Sequence, residues 1–123
     1  MFTWIKGNSN TLILTLYPNN ITLNSSAAIY FQNVRWCMIG IDHENLKLAI
    51  KPVTKEEIDM HLVDTEQLHK VSIGKGYGRI SNKMVINEVS ILLNRTIDCI
   101  KIHAYYDETS NMLIANLNDE IQN

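Results

Sequence analysis

The stretch covering residues 78–117 constrains the fold of this 123-residue chain more than any other part of it. It begins with a short β-prone run, after which Asn82 is placed to cap a helix. Val85, Val89 and Leu92 then recur at positions i, i+4 and i+7, the spacing of one helix face. Two alternating runs separated by a polar turn follow. The stretch therefore predicts a strand, a capped helix and a two-stranded hairpin.

The same order of signals occurs earlier in the chain. Asn24 or Ser25 can cap a short helix, an apolar strand follows, and an alternating run ends at Pro52. We therefore predict an internal repeat of one supersecondary unit. The predicted parts are a first unit, 20–52, a linker with one or two short helical turns, 53–77, and a second unit, 78–117.

Length and composition favour one domain covering residues 1–123, because 46% hydrophobic and 20% charged residues are ordinary globular usage. Ahead of the first unit, residues 2–6 and 11–17 read as strands on either side of a polar turn at residues 7–10. The predicted fold class is α+β: a β-rich single domain of two pseudo-repeated strand-helix-hairpin units plus an N-terminal hairpin.

The distribution of charged residues singles out one region of the chain as a candidate nucleic-acid-binding site. The net charge is −2 and the pI is near 6.0, so attraction to a polyanion through overall charge is not expected. However, no Asp or Glu lies between Glu66 and Glu88. This region contains a basic loop with spaced glycines and a tyrosine, and a loop of this kind can bind along a phosphate backbone. An ordinary solvated loop is the alternative reading. The candidate nucleic-acid-binding residues are Lys70, Lys75, Tyr77, Arg79 and Lys83.

The order of strand, helix cap, helix and closing hairpin resembles the swapped-hairpin unit of the SpoVT/AbrB and MraZ family of bacterial transcription factors. The residues that carry the resemblance are Gly78-Arg79-Ile80-Ser81, which look like the family's Gly-Arg-Ile strand, and residues 42–52, which look like its closing hairpin. MraZ-like chains contain two such units in tandem, and the two units predicted above match that arrangement.

This resemblance implies a swapped-hairpin barrel and a non-catalytic, DNA-binding transcriptional regulator that contacts double-stranded DNA. The family's arginine-based DNA contacts carry over to Arg79 alone, because Ile21 stands at the corresponding position of the first unit. The chain also departs from the family at the helix entrance, where Asn82-Lys83 replaces Ile-Pro, and at Lys75, where the family has an acid.

Residues with catalytic or metal-binding chemistry do not form a recognised pattern. His61 and His69 lie eight positions apart with Asp64 between them, but a working zinc site needs at least three ligands with supporting partners. Cys99 and His103 lie four apart on a predicted strand, about 13 Å from each other by strand rise. The sequence therefore predicts no catalytic residue, no metal site, no cofactor and no enzyme.

The cysteine content and the hydropathy of the chain predict its cellular compartment. Cys37 and Cys99 are too few for a disulfide framework and are predicted to be buried free thiols. No apolar run reaches the eighteen or so residues that would span a membrane, and no signal peptide is recognised. We therefore expect a cytoplasmic protein without membrane partners.

The alternative function is a protein-interaction or oligomerisation module on the same fold, without nucleic-acid binding. Trp4 is its candidate interface residue, because a terminal strand can add to the sheet of another subunit in a homo-oligomer. Trp36 lies in the most apolar strand and is predicted to belong to the core.

Overall fold

Eight antiparallel strands close into a barrel in the order β1-β2-β6-β5-β3-β4-β8-β7, in a computed structural model that describes residues 1–4 and 11–121. The molecule is thus a β-rich single domain with few helices. The strands are β1 Leu12–Tyr17, β2 Asn20–Asn24, β3 Trp36–Asp42, β4 Lys47–Val53, β5 Leu68–Gly74, β6 Tyr77–Ser81, β7 Ile100–Asp107 and β8 Met112–Glu120.

The barrel interior is filled by apolar side chains at alternate strand positions. On β7, Ile100 and Ile102 are buried whereas Lys101 and His103 are exposed, as the sequence pattern predicts. Because every strand contributes its inward positions, one continuous core forms along the barrel axis. Its fully buried members include Leu14, Leu16, Ile21, Leu23, Leu48, Ile50, Ile80, Ile102 and Leu113.

Two helices cover the ends of this core. Helix α1, Ser25–Ala28, follows β2, and α3, Lys83–Leu93, follows β6. Because β2 and β6 are antiparallel neighbours, the two helices leave the barrel at opposite ends. A 3-10 turn after α1 buries Phe31, and α3 buries Val85, Ile86 and Val89. The predicted helix and its apolar stripe at 85–92 are confirmed.

Side-chain caps set the beginnings of the three α-helices that the described residues form. Asn24 Oδ1 accepts from the amide of Ala27 at 3.1 Å, and Asn82 Oδ1 accepts from that of Val85 at 2.9 Å. Helix α2, Lys55–Asp59, begins with a capping box formed by Thr54 and Glu57. The described residues contain no helix long and apolar enough to cross a membrane.

The predicted N-terminal hairpin is wrong where the structure describes it. Residues 2–4 are not in a strand, while residues 5–6 and the predicted turn at 7–10 lie outside the described residues. Strand β1 instead pairs with β2 across a turn at Pro18-Asn19, and with β7 on its other side. Both hydrogen-bonding sides of β1 are therefore used within the barrel.

The segment 53–77 contributes directly to the barrel. It contains α2, a 3-10 turn at Thr65–Gln67 and the whole of β5, which lies between β3 and β6. Pro52 pairs with Cys37 and β4 continues to Val53, so the predicted strand end at Pro52 is wrong.

Two burial predictions are also wrong. Trp36 is 39% exposed, because the inward positions of β3 are taken by Cys37, Ile39 and Ile41. Cys37 is buried as predicted, but Cys99 is exposed, because it precedes β7 in the loop that follows α3.

Candidate nucleic-acid interface

Four of the five residues predicted to bind nucleic acid lie on the outer surface of the barrel wall formed by β5, β6 and the turn between them, and the fifth lies at the start of the helix that follows β6. Lys70 is on β5, Tyr77 and Arg79 are on β6, Lys75 is in the turn between these strands, and Lys83 is the first residue of α3. All five side chains are exposed. The turn and the helix lie at opposite ends of β6, so the group runs along the full height of the wall.

The glycine-spaced run at residues 74–78 forms the hairpin turn between β5 and β6 and the strand residues that flank it. Gly76 has φ of +82°, the left-handed conformation that a tight turn requires and that glycine adopts without strain. Gly78 points into the core, where an added Cβ would lie 3.0 Å from Ile73 Cδ1 and 3.1 Å from Leu23 Cδ1. With Gly78 and Ile80 inward, Arg79 faces solvent.

Tyr77 is held against the sheet by its cross-strand partner. It pairs with Gly74, and its ring lies so close that a Cβ added to Gly74 would be 2.6 Å from Tyr77 Cε1. An aromatic ring covering a cross-strand glycine stabilises the pair, while 47% of Tyr77 remains exposed. Tyr77 therefore offers one ring surface to a ligand from a fixed position. A shallow depression of about 420 Å³ lies beside it, lined partly by Ser72 and Arg79.

Barrel closure adds a residue that sequence reasoning did not assign to this site. The strand register places one row of residues across five strands. Neighbouring strands are about 4.8 Å apart, so Lys101 and Arg79 lie about 14 Å from each other along this row. The row consists of Lys101, Thr15, Thr22, Arg79 and Ser72. The alternation of β7 already indicated that Lys101 faces outward, but no local signal indicated which strands lie beside it.

The wall is free of negative charge over four of its strands. β1, β2, β5 and β6 contain no Asp or Glu. Within residues 1–4 and 11–121, the salt bridges are Arg95 to Glu120 at 2.8 Å and His103 to Asp119 at 3.6 Å. In that part of the chain, neither Arg79 nor Lys101 has an acidic partner. Their charges are therefore available to an anionic ligand.

His69 borders the wall, but its imidazole is hydrogen-bonded to Asn82. Its Nδ1 lies 2.5 Å from Asn82 Nδ2, and burial lowers the pKa of its imidazole. His61 lies in a turn with a left-handed backbone, so the two histidines do not share a helix face. No cluster of three His, Cys, Asp or Glu side chains suited to a metal ion occurs in the described ranges.

Three other perturbed ionisable groups have structural causes. Burial raises the pKa of the Cys37 thiol to about 12, which keeps it protonated and unreactive. Hydrogen bonds within their turns lower the pKa values of Asp42, chiefly from Asn45, and of Asp107, chiefly from Ser110. These three groups are accounted for by packing and turn geometry.

Trp4, the candidate interface residue, is 88% exposed, and its ring centroid lies 6.4 Å from that of Phe2. Each of the eight described strands has a neighbour on both sides, so this part of the chain offers no edge strand for addition of a strand from another subunit. A contact through Trp4 would therefore use its side chain rather than sheet extension.

No family model, curated protein or solved structure matches the chain.

Proposed function

We propose that this protein is a non-catalytic, DNA-binding transcriptional regulator of the AbrB and MraZ type, which contacts duplex DNA through the outer wall of β7, β1, β2, β6 and β5. The observation that carries the proposal is the cross-strand row containing Arg79 and Lys101 on a wall with little negative charge. Phosphate contacts of this kind supply most of the sequence-independent affinity for DNA.

The strand order supports a swapped-hairpin architecture. The hairpin of β3 and β4 lies between β5 and β8, which both come from the second half of the chain. The hairpin of β7 and β8 lies between β4 and β1, which both come from the first half. Each half therefore inserts its second hairpin between strands of the other half, as the swapped-hairpin resemblance implies.

The strand registers support an internal duplication. The pair Val71 and Ile80 lies 57 positions after the pair Leu14 and Leu23, with the same inward orientation. Strands β1 to β4 also correspond in order to strands β5 to β8. If each strand is exchanged with its counterpart, the barrel keeps the same set of neighbouring strand pairs. We infer that the repeated unit is longer than the sequence suggested. It spans residues 12–53 and 68–120.

Duplex DNA binding as a function of salt tests the proposed function. We expect measurable affinity at low salt, with a linear decrease of log K against log salt concentration. Replacing a side chain that contacts a phosphate reduces that slope by about 0.9. Arg79→Gln and Lys101→Gln should each show this reduction.

Lys47→Gln is the matched control. It removes one positive charge from β4, which lies opposite β2 in the barrel order. We expect its salt slope to equal that of the wild type. Absence of binding at low salt, or equal weakening by Lys47→Gln and Arg79→Gln, would refute the proposed wall as a DNA-binding surface.

The second candidate function is a homo-oligomerisation module, which is favoured by the exposed aromatic pair Phe2 and Trp4. Under this hypothesis, light scattering detects a concentration-dependent oligomer, and Trp4→Ala converts it to a monomer. A wild-type protein that stays monomeric at high concentration argues against the hypothesis.

A further inference from the structure

The described surface contains a second cavity that the proposed DNA contact does not use. It has a volume of about 530 Å³ and lies between the segment leading into β3, the end of β4 and the start of α2. Its apolar part consists of Val34, Val53, Ile58 and the partly exposed indole of Trp36. The volume falls within the usual range of small-molecule pockets.

Two cations line the same cavity as the indole. They are Arg35 and Lys55, and the described residues of the lining include no Asp or Glu. In the described part of the chain, neither side chain forms a salt bridge or a hydrogen bond. A cavity lined by an indole and two positive charges is suited to a planar aromatic ring that carries an anionic group.

The backbones that present these cations are anchored. The carbonyl of Arg35 accepts from the amide of Val71 at 2.9 Å, which fixes the entry into β3. Lys55 follows the capping box, in which Thr54 Oγ1 accepts from the amide of Glu57 at 3.2 Å and Glu57 Oε1 accepts from the amide of Thr54 at 3.1 Å. The two side chains therefore start from fixed positions, which reduces the entropic cost of binding.

We propose that this pocket binds a nucleotide unit, with the base stacked on Trp36 and the phosphate held by Arg35 and Lys55. Base stacking on an aromatic side chain tolerates any base, whereas the phosphate requires the cations. The unit can come from a free mononucleotide or from a single strand of nucleic acid. Lys70 pairs with Trp36 across β3 and β5 and gives a following phosphate a further cation. This proposal does not depend on duplex binding by the Arg79 wall.

Tryptophan fluorescence tests the pocket directly, because the chain has only two tryptophans. Trp4→Phe leaves Trp36 as the single indole in the full-length protein. We expect adenosine monophosphate to quench this emission saturably, and ribose 5-phosphate, which lacks the base, to bind at least tenfold more weakly. Arg35→Gln and Lys55→Gln, each in the Trp4→Phe background, should weaken binding roughly tenfold.

Lys47→Gln, which removes a positive charge at the opposite end of β4 from Val53, is the matched control and should leave the quenching curve unchanged. A short oligothymidylate that binds more tightly as it lengthens identifies a single strand as the source, and equal affinity for oligomer and monomer identifies the free nucleotide. Lack of saturable quenching in the folded Trp4→Phe protein, or unchanged affinity in both Arg35→Gln and Lys55→Gln, would overturn the proposal. Arg79→Gln separates the two sites, since it should change duplex binding without changing Trp36 quenching.

Discussion

The side-chain amide of Asn82 joins helix α3 to strand β5 through His69. Its Oδ1 accepts from the amide of Val85 at 2.9 Å, which leaves its Nδ2 to donate to Nδ1 of His69 at 2.5 Å. This geometry requires a neutral imidazole with an unprotonated Nδ1. The cap of α3 therefore depends on the protonation state of one histidine.

We predict that the protein loses stability in mild acid because of His69. Burial lowers its pKa, so the unfolded chain, with a pKa near 6.5, binds the proton more readily than the folded protein. The free energy of unfolding should be constant above about pH 6.5, decrease as the pH falls below it, and level off below the folded pKa. Urea titrations across this range measure the effect.

His69→Gln should remove this decrease. His43→Gln, in the exposed turn after β3, is the control and should retain it. If the wild type and His69→Gln have the same dependence on pH, the link between His69 and the α3 cap does not contribute to stability.

Gly78→Ala should destabilise the barrel. The added Cβ would lie 3.0 Å from Ile73 Cδ1 and 3.1 Å from Leu23 Cδ1 inside a closed core. Overpacking of this kind costs about 1–3 kcal/mol. Gly40→Ala is the matched control, because nothing lies within 4 Å of its added Cβ, and it should change stability by less than about 0.5 kcal/mol. Equal midpoints of urea unfolding for the two variants would contradict the inward orientation of Gly78.

Asn24 should contribute more to stability than a helix cap alone. Its Oδ1 accepts from the amides of Ala27 and Ile13, both at 3.1 Å, and its Nδ2 donates to the Thr11 carbonyl at 2.8 Å. Asn24→Ala should therefore cost about 2 kcal/mol, at the upper end of the range for caps.

Asn24→Asp keeps the acceptor but removes the donor, so we expect an intermediate loss in urea unfolding. Asn87→Ala on the exposed side of α3 is the control and should be neutral or slightly stabilising. A loss for Asn24→Ala no larger than that for Asn87→Ala would show that the link to β1 is not stabilising.

The two cysteines should differ sharply in reactivity. Cys99 is exposed, whereas burial raises the pKa of Cys37 to about 12, and the thiolate is the reactive form. Ellman's reagent should therefore modify one thiol rapidly in the native protein and the second only on unfolding. Cys99→Ser should abolish the rapid phase. A rapid phase that persists in this variant would show that Cys37 is accessible.

Local features of the fold were predictable from sequence. The caps at Asn24, Thr54 and Asn82, helix α3 and the alternation of β7 depend on side chains within a few positions of one another. The residue spacing of a helix or a strand is visible within a few positions of the sequence, and a capping side chain bonds to an amide only two or three residues away. They require no knowledge of the rest of the chain.

Tertiary structure decided which of these elements became neighbours. Trp36 faces outward and Lys101 shares a row with Arg79 because β3 and β7 each pair with strands from the other half of the chain. A run that is apolar on both faces does not indicate which face will be inside, and an outward lysine does not indicate what lies across the sheet. Local sequence signals were sufficient to predict the helices with their caps and most of the strands. Closure of the barrel determined the charged wall, because the strands of that wall lie far apart in the chain. The pocket beside Trp36 is formed by consecutive elements, but it depends on the outward orientation of Trp36, which the sequence did not indicate.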